Sequence, residues 1–201
     1  MRKFLLLFVL ASTSLINCKG NSKDNPLIKE DSGLMAPNAE FGEQQSLFEA
    51  LETNPKYNGF LKMVNMAKMF DELKDLDNVT IFAPDDADVN NLIDNELEGL
   101  TAQERLEKLR NIINYHIVDD VITGSALNAS VVPVDKGVYR LMTKQGAFIS
   151  FVKENNIIII TDELGNEVNI LKLDIEATNG AIHNIGGMLM PQDNNTINTE
   201  K

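Results

Sequence analysis

The chain has 201 residues, of which 43% are hydrophobic, so it is long enough and apolar enough to form one domain with a sizeable core. Its 30 acidic residues outnumber its 18 basic residues, and the formal net charge is -12. Nucleic acids and anionic lipid surfaces are therefore poor partners, because both bind proteins through basic faces. The acidity predicts a well-solvated surface.

The first residues have the pattern of an export signal. Residues 1–3 include two basic side chains, and an uninterrupted apolar run follows over residues 4–10. This run is too short to span a bilayer as a helix. We therefore predict that residues 1–17 form a signal peptide that is removed during export.

Cys18 is the only cysteine of the chain and directly follows the predicted signal peptide. A single cysteine cannot form an internal disulfide. The segment Leu15-Ile16-Asn17-Cys18 resembles a bacterial lipobox, although Asn17 stands where that motif has a small residue. The resemblance implies that Cys18 is lipidated and becomes the first residue of the mature protein. Acyl chains would then hold the protein in the bacterial cell envelope, at the outer membrane, with its domain outside the cytoplasm. Plain secretion is the alternative.

Polar segments without periodicity flank the central part of the chain. Residues 18–40 are rich in Asn, Ser, Gly, Asp, Lys and Pro, and residues 192–201 are also polar. Such segments cannot bury enough apolar surface to offset the entropy lost on ordering. We predict a disordered tether over residues 18–40, a folded domain over 41–191 and a flexible tail over 192–201.

The first half of this domain has helical patterns. Asn54-Pro55 is typical of a helix N-cap followed by proline in the first turn. Thr101 and Glu104 predict a capping box, in which each side chain accepts a hydrogen bond from the backbone N–H of the other. Three methionines are predicted to be adaptable core filler, with a promiscuous binding surface as the alternative: Met63, Met66 and Met69.

Residues 78–87, with the sequence NVTIFAPDDA, combine a strand, a turn and a helix start. The strand is predicted from four successive β-branched or aromatic residues at 79–82. Pro84 lacks the N–H that a sheet ladder needs and is predicted to end the strand. Asp85 and Asp86 are predicted to cap the helix that follows, because Asp is favoured at helix N-termini.

The second half has the composition of strands and turns. Four successive isoleucines at 157–160 predict a strand that is apolar on both faces and central in a sandwich. Asn179-Gly180 is a tight-turn signal before another apolar segment. Helices in the first half and strands in the second predict an α+β fold rather than a parallel α/β fold.

Four segments, in order, resemble those of the fasciclin (FAS1) domain family. LFEALETNPKYNGFLKMV at 47–64 is similar to the family's opening helices, and NVTIFAPDDADVNNL at 78–92 to its first conserved box. LTAQERLEKLRNIINYHIV at 100–118 is similar to its helix and Tyr-His segment. LKLDIEATNGAIHNIGGMLMP at 171–191 is similar to its second box. The resemblance implies a single FAS1-like β-sandwich wedge flanked by helices.

The resemblance also implies a function. Members of the family are mostly secreted or membrane-anchored, mediate adhesion and matrix contacts, and in several cases bind proteins or carbohydrates. We therefore expect a non-enzymatic cell-envelope module for interaction or adhesion that binds a protein or glycan partner. One alternative is an accessory protein that captures extracellular polysaccharide, and another is a structural envelope lipoprotein without a soluble ligand. The chain has no Trp and only three Tyr, which disfavours carbohydrate capture because sugars stack on exposed aromatic rings.

The resemblance further implies a candidate partner-binding site. Tyr115 and His116 match the Tyr-His motif that is implicated in integrin binding by some animal members. Asp174 and Ile175 match an Asp-Ile element that is also linked to integrins. A structural role is the alternative for both segments, since Tyr and His combine an apolar body with a polar tip and suit half-buried positions.

No pattern in the chain predicts catalysis, a metal site or a cofactor. A Gly-x-Ser-x-Gly nucleophile elbow is absent, and Cys18 belongs to the export signal. The only histidines are His116 and His183, whereas a zinc site needs several ligands at set spacing. The acidic cluster at residues 85–88 lacks the glycine and the closing glutamate of a calcium loop.

Overall fold

The computed structural model describes residues 45–192, and the predicted signal peptide, Cys18, the tether and the tail beyond Gln192 lie outside these residues. The helices of the described part are α1 (Leu47–Thr53), α2 (Asn58–Met66), α3 (Phe70–Lys74), α4 (Asp86–Asn95), α5 (Ala102–Tyr115) and α6 (Gly124–Ser130). The strands are β1 (Val79–Pro84), β2 (Ile117–Val118), β3 (Tyr139–Met142), β4 (Phe148–Glu154), β5 (Ile157–Thr161), β6 (Glu167–Ala177) and β7 (Gly180–Ile185). Two short 3₁₀ turns are formed by Pro55–Tyr57 and Val134–Lys136.

The seven strands form one sheet in the order β2-β1-β7-β6-β5-β4-β3. β1 and β7 are parallel, and the other neighbouring pairs are antiparallel. β6 joins two halves of the sheet, because its first residues pair with β5 and its later residues pair with β7. Register shifts between Ile170 and Ile175 interrupt the β6–β7 ladder. Such bulges bend a strand, so the sheet folds into a wedge and not a flat layer.

Two apolar clusters lie on opposite faces of β1. Val79, Ile81 and Ala83 point into the larger cluster, where helices α1 to α5 cover the β1–β7 half of the sheet. Phe82 points into the second cluster, which also contains Leu127 of α6 and the inward-facing residues of β4 and β5. β1 is therefore buried on both faces, which explains why its only polar side chain is Thr80, whose hydroxyl is hydrogen-bonded to backbone groups at residues 120 and 122.

Asp85 stands at the N-cap position of α4 and Asp86 is the first residue of that helix, as the sequence predicts, but neither carboxylate makes a capping hydrogen bond. The Oδ1 atom of Asp85 instead accepts a hydrogen bond from Asn184 Nδ2 in β7 at 2.7 Å. The Oδ1 atom of Asp86 accepts one from the Gly59 backbone N–H in the first turn of α2 at 2.6 Å. The predicted helix start is therefore confirmed, whereas the predicted capping hydrogen bond is not formed, because donors from distant elements lie within reach of these oxygens.

Both other predicted caps are confirmed. Thr101 Oγ1 accepts from the Glu104 N–H at 3.3 Å, and Glu104 Oε2 accepts from the Thr101 N–H at 2.8 Å. Asn54 Oδ1 accepts from the Lys56 N–H at 3.2 Å, with Pro55 in the first turn. The methionine prediction holds for two of three residues, since Met63 and Met69 are buried and Met66 is 36% exposed.

Two features of the second half differ from the sequence prediction. α6 interrupts the predicted run of strands, and its seven residues are too few to show a helical period. The signal for α6 is Thr123, whose Oγ1 accepts from the Ala126 N–H at 3.2 Å. β5 is interior in the strand order as predicted, but Ile157 is 48% exposed because one face of β5 is turned away from both apolar clusters.

None of the helices between residues 45 and 192 is long and apolar enough to cross a membrane.

Candidate functional site

Tyr115 is the last residue of α5, and its side chain is completely buried. Its hydroxyl donates a hydrogen bond to the Phe148 carbonyl oxygen of β4 at 3.0 Å. The same hydroxyl accepts one from the Glu163 N–H, between β5 and β6, at 3.0 Å. Burial raises the pKa of Tyr115 above its ordinary value, so the phenol stays protonated and remains a donor. Tyr115 therefore holds the end of α5 against two parts of the second half of the domain.

His116 follows Tyr115 as the C-cap of α5 and is also completely buried. Its Nδ1 lies 2.8 Å from the Ile112 carbonyl oxygen, and its Nε2 lies 3.1 Å from the Leu189 backbone N. A carbonyl oxygen only accepts and a backbone N–H only donates, so these contacts select the neutral tautomer that is protonated on Nδ1. Burial lowers the pKa of His116 to about 4, against the opposing effects of the Ile112 carbonyl and the Asp162 charge.

Asp162 lies near these two residues, and sequence reasoning missed it. Its Oδ1 accepts from the N–H groups of Leu164 at 3.0 Å and Asn166 at 2.8 Å. Its Oδ2 accepts from Asn166 Nδ2 and from the Met190 N–H, both at 2.9 Å. Asp162 thus stabilises the β5–β6 turn through hydrogen bonds within the turn. It also links this turn to the segment after β7 through the hydrogen bond from Met190. An Asp that begins a polar Gly-containing stretch is a turn signal that could have revealed the first of these roles.

Replacing Tyr115 by Phe is expected to lower the free energy of unfolding by about 1–3 kcal/mol, because the Phe148 carbonyl and the Glu163 N–H each lose a partly buried hydrogen-bond partner. Urea denaturation of the two proteins measures the difference. Tyr139→Phe is the matched control, since Tyr139 is half-buried and its hydroxyl makes no hydrogen bond within residues 45–192. An equal loss in both variants would contradict the assigned role.

Asp174 and Ile175 lie in the irregular part of β6. Asp174 has a φ of 52°, in the left-handed region that non-glycine residues rarely adopt. Its Oδ1 accepts a hydrogen bond from the Gly124 N–H at the start of α6, and its own N–H donates to His183 Nδ1 at 3.2 Å. Ile175 pairs with Ile182 of β7 and is partly buried against the helical cluster. The Asp-Ile element therefore shapes the bulge of β6 and joins it to α6.

Gly124 makes this approach of α6 and β6 possible. A Cβ atom at position 124 would collide with the Asp174 carboxylate and would lie 2.8 Å from the Leu173 Cβ atom. Gly124 could not be predicted from the sequence, because its neighbours in space are about 50 positions away along the chain.

His183 in β7 is buried and makes two hydrogen bonds. Its Nε2 lies 2.8 Å from the Ile122 carbonyl oxygen, while its Nδ1 accepts from the Asp174 N–H. The proton therefore lies on Nε2, the opposite tautomer to that of His116. Burial lowers the pKa of His183, against the opposing effects of the Ile122 carbonyl and the Asp174 charge.

The Tyr-His segment and the Asp-Ile segment are connected through Phe82 of β1 and His183 of β7. Phe82 contacts both His116 and His183, and His183 accepts a hydrogen bond from the Asp174 N–H. The Phe82 N–H donates to the His116 carbonyl oxygen at 2.9 Å. The Phe82 ring lies 5.4 Å from the His183 ring, measured between centroids. Burial of Tyr115 and His116 favours the structural alternative, because a partner cannot reach either side chain in the folded domain. Partner binding that involves these segments stays a prediction.

Two clefts open on the surface beside the Tyr-His segment. The first has a volume of about 300 Å³, and its lining includes Ile112, Lys108, Leu164 and Met190. The second has a volume of about 290 Å³ and is more apolar; its lining includes Leu73, Leu76, Ile113, Ile117 and Lys144. A partner that approaches the Tyr-His segment would meet these clefts. The hydrogen bonds of His116 to the backbone of Ile112 and Leu189 help to position the lining of the first cleft.

Metal ligands are not gathered anywhere in the part of the chain that the structure describes. No group of three or more His, Cys, Asp or Glu side chains between residues 45 and 192 is placed to hold a metal ion.

The fold and this buried network define a wedge-shaped α+β domain in which the two sequence boxes lie side by side as the parallel strands β1 and β7. The chain belongs to the fasciclin domain family, since the family model described as the fasciclin domain matches residues 55–191. The fold is similar to that of a FAS1 domain pair from the insect cell adhesion molecule Fasciclin I, with a TM-score of 0.51 and 22% identity. The match covers 67% of this chain and 45% of that one. The predicted FAS1-like α+β wedge is therefore confirmed.

Relatives with similar sequences occur in animals and in a cyanobacterium. The chain is 29% identical to periostin of Homo sapiens over 150 residues, which are 75% of this chain and 16% of periostin. It is 24% identical to transforming growth factor-beta-induced protein ig-h3 of Sus scrofa over 149 residues, which are 74% of this chain and 20% of that protein. It is also 24% identical to protein sll1483 of Synechocystis sp., with 73% of each chain covered. The chain thus spans a fifth or less of the two animal relatives.

Proposed function

We propose that this chain is a non-enzymatic interaction module of the bacterial cell envelope that binds a partner protein and acts in adhesion. The observation that carries the proposal is the fasciclin domain over residues 55–191. A protein of the same fold, Fasciclin I, is an insect cell adhesion molecule. The lipobox-like segment that ends at Cys18 supports a lipid anchor, at the outer membrane, that would present the domain outside the cytoplasm.

The two histidines support a non-enzymatic role. His116 and His183 each use both ring nitrogens in hydrogen bonds to backbone groups. A general acid or base must have a ring nitrogen within reach of a substrate, and both rings are enclosed in the interior.

A protein partner is better supported than a glycan. Phe148 is the only aromatic residue among the exposed large hydrophobic side chains of the described part, at 50% exposure. Tyr57 and Tyr115 are buried, so no stacking platform of several rings is formed within residues 45–192. The capture of extracellular polysaccharide, or a purely structural role in the envelope, is the second candidate.

The clefts beside the Tyr-His segment are the partner surface of this proposal. The first cleft offers an apolar anchor, Leu164, whose side chain is 56% exposed. Apolar anchors that a partner can bury dominate the energetics of protein interfaces. Lys108 and Glu96, which form a 3.2 Å ion pair, stand at the same cleft as a polar margin.

The test is cell attachment by a strain that lacks this protein and is complemented with single variants. Attachment is expected to fall in the deletion strain, to return with the wild type and to stay low with Leu164→Glu, because a carboxylate replaces the apolar anchor of the first cleft. Leu171→Glu is the matched control, since Leu171 is 55% exposed and lies outside both clefts. Cys18→Ser is expected to abolish both the incorporation of labelled palmitate and attachment.

Two results would contradict the proposal. Attachment that is unchanged in the deletion strain, with surface display of the wild type shown by protease shaving, would remove the adhesive role. Saturable binding to one sugar class on a glycan array, unaffected by Leu164→Glu, would favour polysaccharide capture instead.

A further inference from the structure

One face of the β3–β6 half of the sheet is turned away from both apolar clusters. Side chains alternate between the two faces of a strand, and the inward set, which includes Ile149, Phe151 and Ile160, fills the second cluster. We call the opposite side the outer face. It is defined by a polar row, Arg140, Ser150, Thr161 and Glu167, and by the neighbouring apolar pair Val152 and Ile159.

The outer face exposes a large amount of apolar surface. Met142 is 57% exposed, Phe148 is 50% exposed and Ile157 is 48% exposed. Met142 and Phe148 are paired across β3 and β4, and Val152 and Ile159 are paired across β4 and β5. The polar row separates these two apolar pairs, so apolar and polar rows alternate along the face. Several exposed apolar side chains interspersed with charged groups indicate an interaction surface.

The polar row has opposite charges at its two ends. Arg140 pairs with Ser150, Ser150 with Thr161, and Thr161 with Glu167, so the row runs straight across four strands. Three strand spacings place the cation and the anion about 14 Å apart. Both side chains are exposed, and neither belongs to a salt bridge within residues 45–192.

We propose that the outer face binds a second copy of this chain. A two-fold axis that runs parallel to the strands, midway between β4 and β5, reverses the strand order of one face relative to the other. Arg140 of each copy then lies over Glu167 of the other, and Val152 of each copy lies over Ile159 of the other. The polar row and the Val152–Ile159 pair are therefore each complementary to themselves, which an isologous interface requires. Glu154, the exposed last residue of β4, lies over Ile157 of the other copy, and its carboxylate can turn towards solvent. Met142 and Phe148 lie over the β5–β6 turn of the other copy.

The dimensions of the face predict a weak dimer. Four strands are about 19 Å wide, and the paired segments are about 20 Å long, so each copy contributes less than the roughly 800 Å² of a standard interface. Two faces of twisted sheets pack well at a small angle between strand directions. We expect association in the micromolar range or weaker, which becomes significant where a membrane anchor concentrates the protein.

The test is the oligomeric state of the chain without its predicted signal peptide, residues 18–201, measured by sedimentation equilibrium over a wide concentration range. The signal peptide is left out because its apolar run at residues 4–10 would itself promote association. All proteins carry Cys18→Ser, so that the single thiol cannot join two copies. The wild-type face is expected to give a concentration-dependent dimer. Arg140→Glu and Glu167→Arg are each expected to weaken the dimer at least tenfold, because each places like charges opposite one another at both contacts.

An equimolar mixture of the Arg140→Glu and Glu167→Arg proteins tests the geometry itself. One contact of the mixed dimer pairs Arg140 with Glu167 as in the wild type, and the other pairs the two reversed charges. Association is therefore expected to return to within a few-fold of the wild type in the mixture and in the doubly reversed protein. Lys56→Glu, an equal charge change at an exposed position outside the outer face, is the control and is expected to change nothing.

A wild type that stays monomeric at several hundred micromolar overturns the proposal, as do single reversals that dimerise as tightly as the wild type. A mixture that fails to associate when the wild type does would also overturn it. The self-association is measured on purified protein and does not depend on the proposed adhesive role, so the two can fail separately.

Discussion

Lowering the pH from 7 to 4 is expected to remove about 3 kcal/mol from the free energy of unfolding through His116 alone. The histidine of an unfolded chain has a pKa of about 6.5, whereas burial lowers the pKa of the folded-state His116 to about 4. Below pH 6.5 the unfolded state therefore binds a proton that the folded state does not. Stability falls as the pH decreases through this window and levels off, for this group, below the folded pKa.

His183 adds to the same effect, because burial lowers its pKa in the folded domain as well. Protonation of either ring would place a positive charge in the interior. Protonation would also remove one hydrogen bond at each ring, because the ring nitrogen that now accepts would become a donor. The Leu189 N–H would lose its acceptor at His116, and the Asp174 N–H would lose its acceptor at His183. Both rings must therefore stay neutral for the domain to keep its hydrogen bonds.

The measurement is urea denaturation between pH 7 and pH 5, where most carboxylates of folded and unfolded chains are already ionised. Over this narrower range His116 is expected to account for about 2 kcal/mol of the loss. These two residues are the only histidines of the chain, so the slope reports on them directly. His116→Gln is the control. It keeps a neutral donor and acceptor, and its stability is expected to fall less steeply by up to about 1.4 kcal/mol per pH unit. A His116 imidazole resonance that titrates near pH 6.5 in the folded protein would contradict the argument.

Local patterns in the sequence predicted much of the fold. The capping box of Thr101 and Glu104, the cap at Asn54 and the buried strand at 79–82 depend on residues within a few positions of one another. Such short-range signals can be read without knowing what lies nearby in space. The pairing of β1 with β7, for example Ile81 with Ile182, joins residues about 100 positions apart. The resemblance to the fasciclin family supplied the fold, which no local pattern could supply.

The candidate site was predicted less completely for the same reason. Tyr115, His116, Asp174 and Ile175 were identified by resemblance, but their burial and their partners depend on the tertiary structure. The same limit applies to the carboxylates of Asp85 and Asp86, whose hydrogen-bond donors lie in other elements. The outer face was missed because residues 148–152 and 157–161 are largely apolar on both faces of their strands, so their sequence does not show which face the rest of the domain covers.

The Asn179-Gly180 turn shows how strongly such distant contacts constrain single positions. The Asn179 side chain accepts from the Leu47 N–H at 2.7 Å and donates to the Leu76 carbonyl oxygen at 2.6 Å. Gly180 begins β7 and pairs with Val79 at the beginning of β1. A Cβ atom at position 180 would collide with the Val79 carbonyl oxygen and would lie 2.8 Å from the Leu47 Cδ1 atom. The two sequence boxes of the family thus meet where only glycine fits.

Gly180→Ala is accordingly expected to lower the free energy of unfolding by about 3 kcal/mol, at the upper end of the range for overpacking, because a backbone atom of a central strand must move. Urea denaturation measures the loss, and faster amide exchange in β1 should accompany it. Gly186→Ala is the matched control near the other end of β7. A Cβ atom there lies 3.1 Å from the Leu171 side chain, which is 55% exposed and can rotate into solvent, so a loss of at most about 1 kcal/mol is expected.

Equal stability of Gly180→Ala and the wild type would mean that β1 and β7 approach less closely than the structure shows. The tight junction between the two boxes would then not explain why an Asn-Gly turn stands at this position.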